Sequence, residues 1–428
     1  MPQRPQDLLH LCQTSAAVQA NIGLELLYKS IEVGREACHS NRITQLPKSL
    51  TTPDYIPEAL DITVSTRDTT ATMGPPATPY QPYAEVHKDP KGPGDARPTS
   101  LQILKDSDAI GKLKGKTVLI TGCSAGIGVE TARAMYEAGA TVFAAARDMK
   151  KLDGVIEDIV KNAQENKDGP RPQPIELHLD SLEAVRKGAE DFKQKCGGQL
   201  SILINNAGVM ATPYSTTKDG LETQIAVNHF AHFLLFQLLK PLLLDSAKQS
   251  GSPSRVINVT SAGHRFSTLK FNDKASLDAW NSGEGYNNWI AYGSSKSANV
   301  LMTNAIDRKY GSQGIHGLAV HPGGIATDLG RHMTKEDWEA YGEENVKRMM
   351  ATIFKSTSQG SANTVWAAVS PHFEGKNGGQ YLEDCGETGL AGESDAAGTP
   401  GYRPHIYDEE LENKLWKLSC EVVGVHED

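Results

Sequence analysis

Tryptophan is scarce in this 428-residue chain and arrives late: there are five, the first of them Trp280. A WW module is thereby excluded from the whole N-terminal half. Cysteine is sparse as well, with six residues at 12, 38, 123, 196, 385 and 420 and no C-x-x-C pair. That spacing excludes a zinc ribbon and argues for reduced thiols rather than a disulfide framework. His229, His232, His264 and His321 lack paired carboxylates at ligand spacing, so no metal is expected. The longest apolar run, Phe230 to Leu244, is interrupted by His232, Lys240 and Pro241. It falls short of the ~20 residues that a spanning helix needs and reads as a buried core helix. Arg4 and Asp7 flank a start without an apolar core, which makes a poor signal peptide. Positive charge is in deficit, 43 Lys and Arg against 52 Asp and Glu, for a net charge of -9. Nucleic acid and anionic membrane surfaces are unlikely partners for such a chain. A cytoplasmic protein is the resulting expectation.

What is present suggests a large core with an appendage. Hydrophobic residues make up 39% of the chain, enough to bury a sizeable interior. Val18, Ile22, Leu26, Leu27 and Ile31 recur at helical spacing, predicting an amphipathic helix within residues 1–45. Residues 46–111 read as an extended arm or linker, because ten of the 22 prolines fall between Pro47 and Pro98. From 112 to 428 short apolar strands alternate with helical stretches: Val118 to Ile120, Val142 to Ala146, Ile175 to Leu179, Ile202 to Ile204, Val256 to Val259 and His316 to Val320. Strands this uniformly apolar belong in a parallel sheet covered on both faces, so the expected fold is α/β and doubly wound, a Rossmann fold. Leu411, Leu415, Leu418 and Val422 share one face of a closing C-terminal helix.

The first strand runs into a glycine-rich turn, Thr121-Gly122-Cys-Ser124-Ala-Gly126-Ile127-Gly128, and then a helix. Strand, glycine turn and helix in that order aim backbone N–H groups at a pyrophosphate. Gly122 permits the tight turn, Gly126 the approach of the ligand, and Gly128 close packing of the helix on the strand. Cys123 within it is a small filler residue or an oxidation-sensitive thiol. The second strand ends without an acid and is followed by Arg147, a cation suited to the 2′-phosphate of NADP rather than to the bare ribose of NAD. Asp148 could pair with Arg147 on the surface.

Chemistry enters at Tyr292 and Lys296, whose spacing of four stacks a phenol beside an ammonium on one helix face. A free tyrosine titrates at about pH 10, and bringing it near 7 requires roughly 4 kcal/mol of phenolate stabilisation. A neighbouring cation supplies part of that.

Taken in order, Thr121-Gly-x-x-x-Gly-x-Gly128, Asn205-Asn-Ala-Gly208, Ser261, Tyr292-x-x-x-Lys296 and Pro322-Gly-x-x-x-Thr327 resemble the short-chain dehydrogenase/reductases of the classical type. Ala145-Ala-Arg-Asp148, His321-Pro-Gly-Gly324, Gly379-Gln-Tyr-Leu-Glu-Asp-Cys385 and Leu415-Trp-Lys-Leu-Ser419 look like the retinol-dehydrogenase branch, which includes the WW-domain oxidoreductases. The resemblance covers roughly residues 112 to 424. Many relatives in that branch carry an N-terminal membrane anchor, which this chain is expected to lack.

The resemblance implies a set of roles. Asp180 contacts the adenine, with an N-cap in Asp180-Ser-Leu-Glu183 as its other reading. Asn205, Ala207 and Gly208 approach the cofactor after the fourth strand. Ser261 orients a carbonyl beside Tyr292, with Thr260 as the competing hydroxyl. Lys296 also holds the ribose, and Pro322, Gly323 and Thr327 flank the nicotinamide. Asn228 holds a water that links Lys296 to solvent, or is a satisfied core amide. The expected function is an NADP-dependent oxidoreductase that moves hydride between nicotinamide and a carbonyl or alcohol of a small apolar or aromatic substrate, in the direction of ketone reduction. An idle NADP-binding sensor or interaction protein, engaging partners through its N-terminal appendage, is the alternative. Pairing into a homodimer through helices flanking the site is typical of the relatives.

Overall fold

The computed structural model describes residues 76, 78–375, 378–392 and 399–427. The predicted amphipathic helix and most of the Pro-rich segment lie outside these residues. Among the described residues, eight strands form one sheet in the order β3-β2-β1-β4-β5-β6-β7-β8. They are β1 Thr117–Thr121, β2 Thr141–Ala146, β3 Gln173–Glu176, β4 Ile202–Asn205, β5 Ser254–Val259, β6 Ile315–His321, β7 Gln380–Glu383 and β8 Gly386–Glu387. All neighbours are parallel except β7 and β8. The order reverses between β1 and β4, which opens a crevice at the carboxyl ends of those strands.

Side chains alternate across the pleat and so divide the core in two. Leu119, Phe143, Leu203 and Val256 pack on one face under the helices Leu182–Lys195, Ala231–Ser250, Asn288–Tyr310 and Glu409–Val423. Val118, Ile120, Val142, Ala144, Ile204 and Ile257 pack on the other under Ile127–Glu137, Met149–Lys161 and Thr357–Val369. β1 is buried at every position, as a central strand covered on both faces must be.

The apolar run at Phe230 to Leu244 is a core helix, yet its helical context is longer than the run suggests. Thr223 to Ser250 is continuously helical for 28 residues, long and apolar enough to cross a bilayer, with 72% of its most apolar window buried inside the protein. Its first part, Ala226–Phe230, is a π-helix.

A domain boundary at 112 falls too late. Thr99 caps a helix, Ser100–Asp106, whose Ile103 and Leu104 are completely buried against the helices Ile127–Glu137 and Thr357–Val369. Burying two such side chains contributes roughly 3 to 6 kcal/mol. Upstream, Arg97 is itself buried and its guanidinium donates to the carbonyls of Gly92, Ile353 and Phe354 at 3.1, 2.7 and 2.7 Å. Proline content alone reads this stretch as a linker, whereas Arg97, Ile103 and Leu104 make its described part a strap on the enzyme body.

Candidate active site

One cleft of about 2080 Å³ runs over the carboxyl ends of the strands and collects most of the predicted residues. Thr121, Gly122, Ser124, Gly126, Ile127, Gly128, Arg147, Asp180, Ala207, Gly208, Ser261, Tyr292, Lys296, Pro322, Gly323 and Thr327 all line it.

The glycine turn is shaped as its sequence implies. Gly122 and Gly126 adopt φ of 78° and 65°, the left-handed region that favours glycine. A Cβ on Gly128 would stand 2.3 Å from the carbonyl oxygen of Gly122, so only glycine lets the helix start this close to the strand. Thr121 is a girder: its hydroxyl accepts from the N–H groups of Asn206 and Ala207, each at 3.0 Å, and bonds His232 Nε2 at 3.0 Å. Cys123 is fully buried and its thiol, pushed up to about 12 by burial, donates to Ile120 O at 3.2 Å. It is filler.

Arg147 is exposed at the cleft edge, and no acid pairs with it among the described residues. Asp148 is occupied as the N-cap of the following helix, accepting from Lys151 N at 3.0 Å. Asp180 lines the cleft, but the cap of the helix Leu182–Lys195 is Ser181, whose hydroxyl accepts from Ala184 N. The N-cap read at Asp180 therefore falls one residue later, as a simple cap without a capping box.

Two predicted residues are not in the cleft wall. Asn205 is buried and donates its amide to Asn258 Oδ1 at 2.8 Å, tying β4 to β5; Asn206 faces the cleft in its place. Asn228 is fully buried and its amide is spent on protein groups. It accepts from Val209 N at 2.8 Å and donates to Val209 O and Ser295 Oγ at 3.0 and 2.9 Å. In this structure its amide is satisfied by protein groups and clamps the Asn-Asn-Ala-Gly segment beside Lys296.

Ser261 and Thr260 divide as strand alternation requires. Thr260 is buried and donates to Lys296 O at 2.8 Å, while the Ser261 hydroxyl accepts from Gly263 N at 3.0 Å and is the neighbour that pulls the Tyr292 phenol down. Lys296 Nζ lies 5.7 Å from the centre of the Tyr292 ring and donates to Val259 O at 3.1 Å. Burial governs both titrations: it pushes the phenol up to about 12, against the pull of Ser261, and the ammonium down to about 8. The phenol depression expected from Lys296 is not found here: both groups have left water, burial dominates, and Ser261 is the neighbour that pulls the phenol the other way.

Of the aromatics between Ser261 and Tyr292, Trp289 lines the cleft, whereas Trp280 packs on the core and Tyr286 bonds Gln224, Glu222 and Thr212. Trp338 lines the cleft from the segment after Leu329, joined by Tyr214, Phe266, Met333, Met350 and Phe354. Trp289 Nε1 donates to Asp337 Oδ1 at 2.7 Å and so ties the catalytic helix to this cover.

Sequence reasoning missed a charged cluster in the same wall. Lys355 Nζ donates to Asp384 Oδ1 at 2.7 Å, His87 of the N-terminal strap lies 3.5 Å from that carboxylate, and Glu383 sits between His321 at 3.7 Å and Arg265 at 3.9 Å. These residues come from five separate parts of the chain, and no spacing rule connects them.

The comparisons agree with this geometry. A family model described as short chain dehydrogenase matches residues 116–270 and 279–338. The chain is 43% identical over 345 residues to the short-chain dehydrogenase/reductase prx1 of Penicillium roqueforti, covering 81% of this chain and 96% of that protein. It is 34% identical over 314 residues to retinol dehydrogenase 12 of Bos taurus, covering 73% of this chain and 88% of that one. Among solved structures, an uncharacterised protein of Mycobacterium paratuberculosis aligns with a TM-score of 0.53 at 28% identity, over 75% of this chain and 97% of the other. The chain belongs to the short-chain dehydrogenase/reductase family. Within it, the protein is an oxidoreductase with relatives in the retinol-dehydrogenase branch, built on a nicotinamide-binding Rossmann fold.

Proposed function

We propose that this protein reduces the carbonyl of a bulky apolar or aromatic compound with NADPH as hydride donor. The observation that carries the reading is the convergence of Ser261, Tyr292 and Lys296 on the cleft that the glycine turn lines, with Lys296 Nζ 5.7 Å from the centre of the Tyr292 ring. The residues fit the cofactor: a turn that admits no Cβ at Gly128, an Arg147 with no acid partner among the described residues for a 2′-phosphate, and Asp180 for the adenine. Ala207, Gly208, Pro322, Gly323 and Thr327 would flank its remainder, with Lys296 at the ribose.

NADPH, when bound, supplies the hydride. The chain supplies everything else. Ser261 and Tyr292 donate hydrogen bonds to the substrate carbonyl oxygen, which polarises it. Tyr292 then gives up its proton as charge develops on that oxygen, and the buried ammonium of Lys296 stabilises the phenolate left behind. Trp289, Trp338, Phe266 and Phe354 exclude water and favour an apolar body. The name retinol dehydrogenase borne by relatives, denoting an apolar alcohol, supports that substrate class.

The test is NADPH consumption, followed by loss of its absorbance, against a panel of aldehydes, ketones and quinones, and the same panel with NADH. Turnover of none of them, in protein that binds NADPH, rejects the reading.

A further inference from the structure

One charged side chain in the cleft wall is left unexplained by cofactor or catalysis. Arg265 lies on the short turn Ala262–Phe266, one turn beyond Ser261, and its side chain is only 8% exposed. It lines the cleft. Its Nε is buried without a hydrogen-bond partner among the described residues, and its nearest anion, Glu383, stands 3.9 Å from Nη2. That separation is too long for a hydrogen bond. A guanidinium has five donors, and burying it without acceptors is unfavourable.

The other buried arginines behave differently. Arg97 donates to three backbone carbonyls and to Asp95, and Arg255 donates to Ala367 O and Ser370 O at 3.0 and 3.1 Å. Both are structural ties. Arg265 ties nothing at hydrogen-bond distance among the described residues.

Nor does Glu383 satisfy it. One Glu383 oxygen accepts from Gly401 N at 3.0 Å. The other lies 3.7 Å from His321 Nε2. His321 Nδ1 is 3.2 Å from the donating N–H of Ala262, so the proton of that ring is on Nε2, facing Glu383. The second cation of the wall, Lys355, is already held by Asp384 at 2.7 Å. Burial and the neighbouring Asp384 push the Glu383 carboxyl up to about 7, which weakens it further as a counter-ion. Beside this cluster the cleft is apolar, with Phe266, Trp289, Met333 and Phe354 in its lining.

We propose that Arg265 is a specificity-determining residue that binds a carboxylate carried by the substrate, remote from the carbonyl that Tyr292 protonates, so that the substrate is an oxo acid with a bulky apolar body. The reasoning rests on the reductase reading above. A carboxylate accepts two parallel N–H bonds from a guanidinium and meets both of its deficits, charge and missing acceptors. An ester of the same acid offers oxygen without charge and meets only one.

The experiment compares aryl keto acids of graded chain length with their methyl esters, as substrates with NADPH and as ligands titrated calorimetrically into the complex of the protein with NADP. The acid is expected to exceed its ester at the best chain length by about ten-fold or more in kcat/KM. Arg265→Leu is expected to bring that ratio close to one, chiefly through KM, and Arg265→Lys to restore part of it. An acid-to-ester ratio near one in the wild-type protein across the series overturns the proposal, as does a ratio that survives Arg265→Leu. If neither form is reduced, the reductase reading has failed, and the calorimetric ratio decides the inference by itself: tighter binding of the acid supports it, and equal or absent binding overturns it.

Discussion

The guanidinium of Arg97 lies 2.7 Å from the main-chain oxygens of both Ile353 and Phe354, which fastens the N-terminal strap to the segment that covers the cleft. Gly92 adds a backbone bond to Thr352 O at 2.9 Å, and Gln359 Nε2 holds Asp95 and Arg97 from the helix below. Arg97→Met leaves several buried carbonyls without a donor, and a loss of roughly 3 kcal/mol is expected. Denaturant unfolding measures it. Because Phe354 and Lys355 line the cleft, KM for the carbonyl should rise more than kcat falls. A variant as stable as the parent with unchanged KM would show that the strap is decorative.

Tyr292→Phe removes the proton donor while keeping the ring that packs beside Gly263. Turnover is expected to fall by at least ~100-fold, the usual contribution of a positioned acid. NADPH binding, followed by its fluorescence, should persist. Residual kcat within a factor of ten of the parent would mean that another group delivers the proton.

Arg147→Ala tests cofactor choice. Without the cation, kcat/KM for NADPH should fall by roughly 30-fold and that for NADH should change little, as expected when one charge-assisted contact to a phosphate is lost. A parent enzyme that prefers NADH would end the NADP assignment before any mutation is made.

Acid should destabilise the fold steeply. Burial pushes His229, His264 and His321 down to about 3 and His232 to about 4. Unfolded, each titrates at about 6.5. Between those values the unfolded chain binds more protons, so the contribution is intact above ~6.5 and is lost as pH falls toward the folded values. Glu383 and Glu412, pushed up to about 7 by burial, act in the opposite sense and offset two of the four histidines. About 3 kcal/mol per pH unit remains between pH ~6 and ~5. Urea midpoints across that range measure the slope, which His229→Gln should make shallower; a flat profile contradicts the account.

The catalytic half of the molecule was legible because its chemistry is local. The glycine turn, the strand ends and the Tyr292 helix each announce themselves within a dozen residues, and the parallel sheet follows from uniformly apolar strands. What escaped depends on contacts between distant segments. β7 is a short strand, and β8 has only two residues. The strap reads as a linker because prolines and glycines dominate it, although Arg97, Ile103 and Leu104 anchor it to partners on other segments, among them ones more than two hundred residues away. Asn205 and Asn206 are adjacent and chemically identical, so only the pleat decides which faces the cleft. The Tyr292 phenol shows the same limit in energetic form: spacing places an ammonium beside it, but the balance between attraction and desolvation is set by everything packed around the pair.

The π-helix at Ala226–Phe230 carries one more residue in its turn than an ordinary helix would. Deleting a single residue there would convert the stretch to regular α-helix and swing everything N-terminal to it by about 100° relative to Ala231–Ser250. Asn228 would then turn away from Val209 and Ser295, and the floor beneath Lys296 would open. Gene length in this stretch is therefore constrained to the single codon.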